Sequence, residues 1–298
     1  MLPQSHQTSD DAPEIRDLDT TDIERLRLGW WSRFDSGEVE RTLEQAPGLS
    51  VWAPGANEYL IAGPWRHRTE IVHAVELVAI RHPVELVRAA VKRARRMGKR
   101  VFLAIEATEH RRASYYDRCG LSLLEEVIAY ERERDRQSLP GLPDGVERVS
   151  RLDDLTLSEL AFVDHDAFPW LWRNGEEEFR DYFGQPGVEL YLLRQAGSPV
   201  GYLGISLFPG WGHIDRVAVL RTTQGKGLGR MLTALGIARI SQAGASTIGL
   251  STQSRNLRSQ TLYENLGFRR KSSGEYRIYG VALQPDDSID ELVAGSGA

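Results

Sequence analysis

Two short stretches set 147 residues apart share one spacing, and they decide how the chain is organised. "YYDRCGL" (115–121) places Tyr116 and Gly120 as "LYENLGF" (262–268) places Tyr263 and Gly267. Upstream of each lies a helix-like run that ends in glycine and passes into an apolar strand. These are "VELVRAAVKRARRMGKRVFLAIE" and "GRMLTALGIARISQAGASTIGLST". An internal repeat of this length predicts two mixed α/β units in tandem. Between them, "ERERDRQSLPGLPDGVERVS" (131–150) is a charged run followed by two prolines and two glycines, the composition of a linker. The expected organisation is a frayed tail over 1–12, a first domain over 13–135, a linker over 136–146, a second domain over 147–284 and a flexible tail over 285–298.

Composition narrows the class. Of the 298 residues, 41% are hydrophobic, enough for a core. No run approaches the roughly 20 apolar residues that span a bilayer. The first residues lack a basic region followed by an apolar one, so no secretory signal is expected. A formal net charge of −5 argues against general attraction to nucleic acid or anionic membrane. The single cysteine, Cys119, excludes an internal disulfide and fits a reducing cytoplasm. No histidine adjoins it, so it reads as a buried thiol and not as a nucleophile. Basic residues are nearly all arginine, with lysine only at Lys92, Lys99, Lys226 and Lys271, a bias that suggests a GC-rich bacterial genome.

The second half reads as a helix near 153–166, an aromatic loop "FPWLW", a helix "GEEEFRDYF", and strands "VELYLLRQ" and "VGYLGISLF" joined by "AGSP". Strand "HIDRVAVL", the loop "QGKGLGR", a long helix, strand "TIGLST", helix "NLRSQTLYENL" and strand "YRIYGVAL" follow. Met231, Leu235, Ala238 and Ile240 show the helical period, and Gly244 suits its end. Each half opens on a helical pattern, "DTTDIERLRLGWW" and "DDLTLSELAFVDHDAF", the second capped by Asp154 or Thr156.

A strand that enters a glycine-rich loop and then a helix is an anion site. Free N–H groups at the helix start point outward, and the helix dipole favours negative charge there. Glycine lets the backbone come close and adopt positive φ. Spacing excludes two owners. Lys226 is followed by Gly227 and not by Ser or Thr, so this is no Walker A loop. A dinucleotide fingerprint would need a third glycine where Arg230 or Leu232 stands.

"VAVLRTTQGKGLGRML" resembles motif A of the GCN5-related N-acetyltransferases (GNAT), Q/R-x-x-G-x-G/A after a strand, with Gln224, Gly227 and Gly229 in register. "NLRSQTLYENLGF" is similar to that family's second signature, with Asn256 seven residues before Tyr263. The resemblance covers residues 147–284. It implies two GNAT-like domains, each a twisted mixed β-sheet flanked by helices, and acetyl-CoA or another acyl-CoA as co-substrate, with no metal.

By the same resemblance, backbone N–H groups from Gly225 through Lys226, Gly227, Leu228 and Gly229 to Arg230 cradle the pyrophosphate. Lys226 and Arg230 add charge there or form a solvated helix-end pair. The main chain of Val217, Ala218 and Val219 bonds the pantetheine arm. Tyr263 holds the family's general-acid position, and Asn256 bonds the CoA arm, caps the following helix, or does both. For the base the family's glutamate position before Asn256 is Ser251. Asp215 is the favoured carboxylate, with His213 on the same strand face as the alternative. "DHDAFPWLWRNGEEEF" falls where the family builds its acceptor pocket. Trp170 and Trp172 are either its walls or an inter-domain seal. Asp164, Asp166 and Glu176 to Glu178 either attract a cation or are ordinary surface charge.

The first half resembles the same fold in degenerate form. "AIRHPVELVRAAV" has no glycine where the loop belongs, and Pro83 removes a donor. No CoA is expected there, and Tyr116 reads as structural. The tandem with one inactive half is similar to the mycothiol synthase branch. The expected activity is acyl transfer to a primary amine of a small molecule. A protein N-terminal or lysine acetyltransferase and a non-catalytic acyl-CoA sensor are the alternatives. Oligomeric state is not legible.

Overall fold

A computed structural model describes residues 13–289 apart from 30, 31, 33, 108–110, 135–140 and 286. The tail over 1–12, residues 136–140 of the expected linker, and residues 286 and 290–298 of the expected C-terminal tail lie outside the described residues.

The first half supplies strands β1 (Arg16–Asp17), β2 (Val51–Ala53), β3 (Glu58–Trp65), β4 (Arg68–Val78), β5 (Val101–Glu106) and β6 (Ser122–Glu133). Its helices are α1 (Ser36–Gln45), α2 (Pro83–Arg96) and α3 (Ala113–Cys119). The second half supplies β7 (Val146–Arg148), α4 (Asp154–Ala167), α5 (Glu176–Gly184), β8 (Val188–Gln195), β9 (Ser198–Phe208), β10 (Trp211–Val219), α6 (Leu228–Gln242), β11 (Thr247–Gln253), α7 (Leu257–Asn265) and β12 (Arg269–Ala282).

All twelve strands form one sheet in the order β1-β2-β3-β4-β5-β12-β6-β11-β10-β9-β8-β7. The mixed α/β class is as the sequence implies, but the halves trade their last strands. β12, from the second half, pairs antiparallel with β5 and β6. β6, from the first, pairs antiparallel with β11. The repeated tyrosines follow the trade. Tyr116 stacks on Tyr279 of β12 at 3.6 Å, and Tyr263 meets Tyr130 of β6 edge-on at 6.2 Å. Cys119 is buried beside Tyr116, and burial pushes its thiol up, which suits an inert core group.

Each half contains one parallel strand pair that meets briefly and then splays. β4 pairs with β5 only over Ile71–Ala74, and β10 with β11 only over Trp211–Ile214. Helix α2 covers the first pair through Leu86, Val87, Ala90 and Ala94, and α6 covers the second through Leu232, Leu235 and Ile240. α4 packs on the opposite face of the second half, over Leu190, Tyr202 and Ala218.

The helix expected from "DTTDIERLRLGWW" is a 3-10 turn over Thr20–Asp22. Beyond Leu26 the chain turns to long-range partners. Asn57 exchanges two hydrogen bonds with the Arg27 backbone, and Gly29 N–H donates to the Tyr59 hydroxyl. Leu18 and Leu26 still bury their side chains, so an amphipathic pattern is satisfied without a helix.

The two strand-to-helix junctions differ. Ahead of α2, the backbone N–H groups of Ile80, Arg81 and His82 all donate to the buried Glu58 carboxylate, at 2.7, 2.6 and 2.9 Å. The first half therefore fills its own anion position. Replacing Glu58 with alanine strands three donors and is expected to destabilise the protein by about 2–4 kcal/mol, measurable as a lowered urea midpoint. A midpoint within error of wild type would show that water takes over those donors.

Candidate active site

Ahead of α6 no side chain among the described residues takes the equivalent place. Gly225 and Gly227 have φ of 83° and 84°, the left-handed region that glycine enters at little cost. α6 has no side-chain cap, and its hydrogen-bond ladder starts with Met231 N–H on the Gly227 carbonyl at 3.0 Å. The N–H groups of Leu228, Gly229 and Arg230 precede that first bond and face outward. A Cβ built on Gly227 meets nothing within 4 Å, so open space lies over the loop.

That space is a groove of about 720 Å³. Of the residues expected to hold the co-substrate, Val217, Val219, Gln224, Gly225, Gly227, Gly229, Arg230 and Asn256 line it. Ala218 does not, because strand alternation turns its side chain into the core under α4. Its expected role was a main-chain one, and past Ile214 the peptides of β10 have no partner in β11. Lys226 is exposed and off the groove, and Leu228 packs on the core beneath α6. Gln224 acts inside the loop: its Nε2 donates to the Val219 carbonyl (3.0 Å), and its Oε1 accepts from Arg258 (2.8 Å).

Sequence reading missed Arg221 and Arg258, which also line the groove and give it positive charge with Arg230. Arg221 is anchored by Asp166, whose carboxylate accepts from its N–H at 2.6 Å. Arg258 stands two residues after Asn256, in the first turn of α7, a place that the second signature could have flagged. Asn256 does cap α7, accepting from Ser259 N–H at 3.1 Å, and still lines the groove.

A second cavity, of about 370 Å³, opens from the groove. The two share Phe168, Val217, Asn256, Ser259 and Tyr263. Tyr263 thus stands at their junction. Burial pushes its phenol above the ordinary value of 10, with a hydrogen bond to Ser259 pulling the other way, so the hydroxyl keeps its proton at neutral pH.

His213 and Asp215 line the second cavity from β10. A register shift between Ile214 and Arg216 puts a bulge at Asp215. Its Oδ2 accepts from Tyr182 (2.6 Å) and Ser206 (2.7 Å), and its Oδ1 lies 2.8 Å from His213 Nδ1. Burial and the adjacent carboxylate push the Tyr182 phenol far up, so it remains a donor. Asp215 is thus held by Tyr182 and Ser206 on one oxygen and orients the imidazole of His213 with the other.

The candidate acceptor residues sort differently from their sequence grouping. Trp172 lines the second cavity, while Trp170 seals the halves, held by Arg68 and Arg100 against its ring. Asp164 is fully buried and bonded to Asn174 N–H, Tyr202 and Arg216, so it neutralises an internal arginine and meets no ligand. Of the three glutamates that begin α5, Glu178 alone lines the cavity.

A glycine cradle, a splayed strand pair and a tyrosine between two joined cavities define an acyl-transfer enzyme. Residues 154–268 match the Acetyltransferase (GNAT) family. The mycothiol acetyltransferase of Nocardia farcinica is 28% identical over 285 residues, which cover 85% of this chain and 91% of the relative. That of Kocuria rhizophila is 42% identical over 170 residues, or 51% of this chain and 56% of the relative. Among solved structures, a GCN5-related N-acetyltransferase from Sphaerobacter thermophilus superposes at TM-score 0.57 with 18% identity, covering 91% and 96% of the two chains. A tandem GNAT protein from the clavulanic acid pathway gives 0.54 and 15%, covering 93% and 100%; both show the fold alone. Residues 154–268 are the part that matches the GNAT acetyltransferases, the whole chain shares its fold with a tandem GNAT protein, and the activity is that of an N-acetyltransferase.

Replacing Gly227 with glutamate puts a Cβ on left-handed backbone and a negative charge in the cradle. Acetyl-CoA affinity is expected to fall at least about 100-fold, by isothermal titration; unchanged affinity would remove the pyrophosphate from this loop.

Proposed function

We propose that the chain transfers the acetyl group of acetyl-CoA to the primary amine of a small molecule. The co-substrate would lie in the Gly225–Arg230 groove and the amine in the second cavity. The observation that carries this division is the meeting of the two cavities at Val217, Asn256 and Tyr263. The relatives named mycothiol acetyltransferase support a small-molecule acceptor over a protein one. The protein's place is the cytoplasm; among the described residues no helix is long and apolar enough to cross a membrane.

In the reaction the amine nitrogen attacks the thioester carbonyl, the C–N bond forms and the C–S bond breaks. Tyr263, protonated and buried, gives its proton to the departing thiolate. The proton lost by the amine goes to His213, which Asp215 holds by Nδ1. Four strand positions separate His213 from Val217, roughly 13 Å, so that proton travels through water. Asp215, favoured as the base from sequence, acts here through His213. We also propose the division into a degenerate domain over 13–135 and a catalytic domain over 147–284. Glu58, seated on the donors that would meet a phosphate, supports a first half that takes no CoA.

An acceptor screen that follows thiol release from acetyl-CoA across small amines and peptides tests the function; turnover of peptides only would contradict it. With an acceptor in hand, His213→Ala is expected to lower kcat/KM by about 10²-fold or more, with partial rescue by added imidazole. Asp215→Asn should cost less and gain nothing from imidazole. A larger loss in the asparagine variant would return the base to Asp215.

Tyr263→Phe should slow transfer by a comparable factor while sparing acetyl-CoA affinity. Because the protonated phenol is the active form and its pKa is raised, alkaline loss from this group is expected only above pH 10. Wild-type rates in the phenylalanine variant would end the acid role.

A further inference from the structure

Two residues of the first half line the second cavity, Val127 and Arg66, and Arg66 is the charged one. Arg66 stands at the tip of the β3–β4 hairpin, where both Arg66 (φ 52°) and His67 (φ 57°) are left-handed. Glycine and asparagine are the usual occupants of such a turn, and other side chains persist there when the surroundings hold them. Both side chains here are engaged. His67 Nε2 lies 2.8 Å from Asp181 Oδ2 on α5, which pins the hairpin tip to the second half.

Arg66 reaches into the cavity between the rings of Trp65 and Trp172, each centred 5.5 Å from its guanidinium carbon. Its side chain is 24% exposed. Only part of its fork is satisfied. Nη1 donates to Asn174 Oδ1 at 2.7 Å, and Glu178 stands 3.8 Å away, beyond hydrogen-bonding distance. Nε is buried with no partner, and Nη2 takes none among the described residues. Burial and the nearby positive charge of Arg216 both hold this guanidinium below its usual range. Arg216 itself donates from Nε to the Tyr202 hydroxyl and from Nη2 to Asp164 and the Trp172 carbonyl. So one guanidinium in the cavity is hydrogen-bonded to a carboxylate, while its neighbour has only the longer ion pair with Glu178 and keeps open donors.

A desolvated cation lacking a bonded counter-charge is costly to keep. A planar fork with open donors, flanked by aromatic faces, matches a carboxylate better than any neutral group. We infer that Arg66 anchors the carboxylate of the acceptor, which would make the acceptor an amine of the amino-acid type. The amine end would then face His213 and Tyr263 in the same cavity. The inference rests on the acetyl-transfer reading above and names the substrate class of that site. It also gives the first half a direct part in specificity.

The test is a panel of α-amino acids, each paired with its neutral carboxamide, assayed for thiol release from acetyl-CoA and titrated calorimetrically into CoA-loaded protein. Wild type should favour the acid member at least about tenfold in kcat/KM. Arg66→Asn suits the left-handed turn, so it should fold and bind acetyl-CoA as wild type does. It should raise KM for the acids by about 10- to 100-fold and leave kcat and the amides little changed. Arg66→Lys, with charge but no fork, should fall between. A panel in which no acid outperforms its amide, or an unchanged acid-to-amide ratio in Arg66→Asn, would overturn the assignment. Acetyl-CoA titrated alone separates the two readings. Loss of that binding in wild type sinks acetyl transfer itself, whereas intact binding without acid preference sinks the Arg66 role only.

Discussion

The hydrogen bonding of β5, β12, β6 and β11 is the constraint on which the rest of the molecule depends. Each half lends its final strand to the other, so the sheet has no seam at the middle of the chain. The aromatic loop between α4 and α5 crosses the same junction. Trp65 donates to the Leu171 carbonyl, and Arg68 donates to that of Trp170. A buried cluster with Trp65, Ile71, Leu103, Val127, Trp172 and Ile278 fills the space between. The second cavity is walled by both halves as a result.

Much of the second half could be read from sequence because its signals are local. Glycine spacing, an asparagine cap and the apolar periods of α6 and β8 depend on near neighbours in the chain, and the elements from α4 to α7 lie within a few residues of their expected places, whereas β12 begins at Arg269, well before the expected Tyr276. The strand trade was not legible, since β6 and β12 have the same alternation whichever neighbour they join. Asp215 and His213 were found by period two, but the bulge and the bonds from Tyr182 and Ser206 come from distant residues. Those bonds fix how the two side chains are oriented to each other. Arg66 gave no signal at all. It sits in a hairpin tip 108 residues from its partner Asn174.

The two junctions ahead of α2 and α6 show one backbone device in two states. In one, a carboxylate from β3 answers the outward N–H groups and glycine is unnecessary. In the other, two left-handed glycines and an uncapped helix start leave the same groups to solvent or ligand. Degeneration of the first half is therefore more than the loss of a motif. It is the substitution of a fixed internal anion for an exchangeable one.

That difference has a thermodynamic consequence. The first half carries its counter-anion covalently, so the stability of its junction is constant whatever the cell contains. The second half leaves its junction open to an external anion, and a ligand that binds the folded state alone would add RT ln(1 + [L]/Kd) to stability. Fluctuations in the acyl-CoA pool would be felt by one end of a continuous sheet and not by the other.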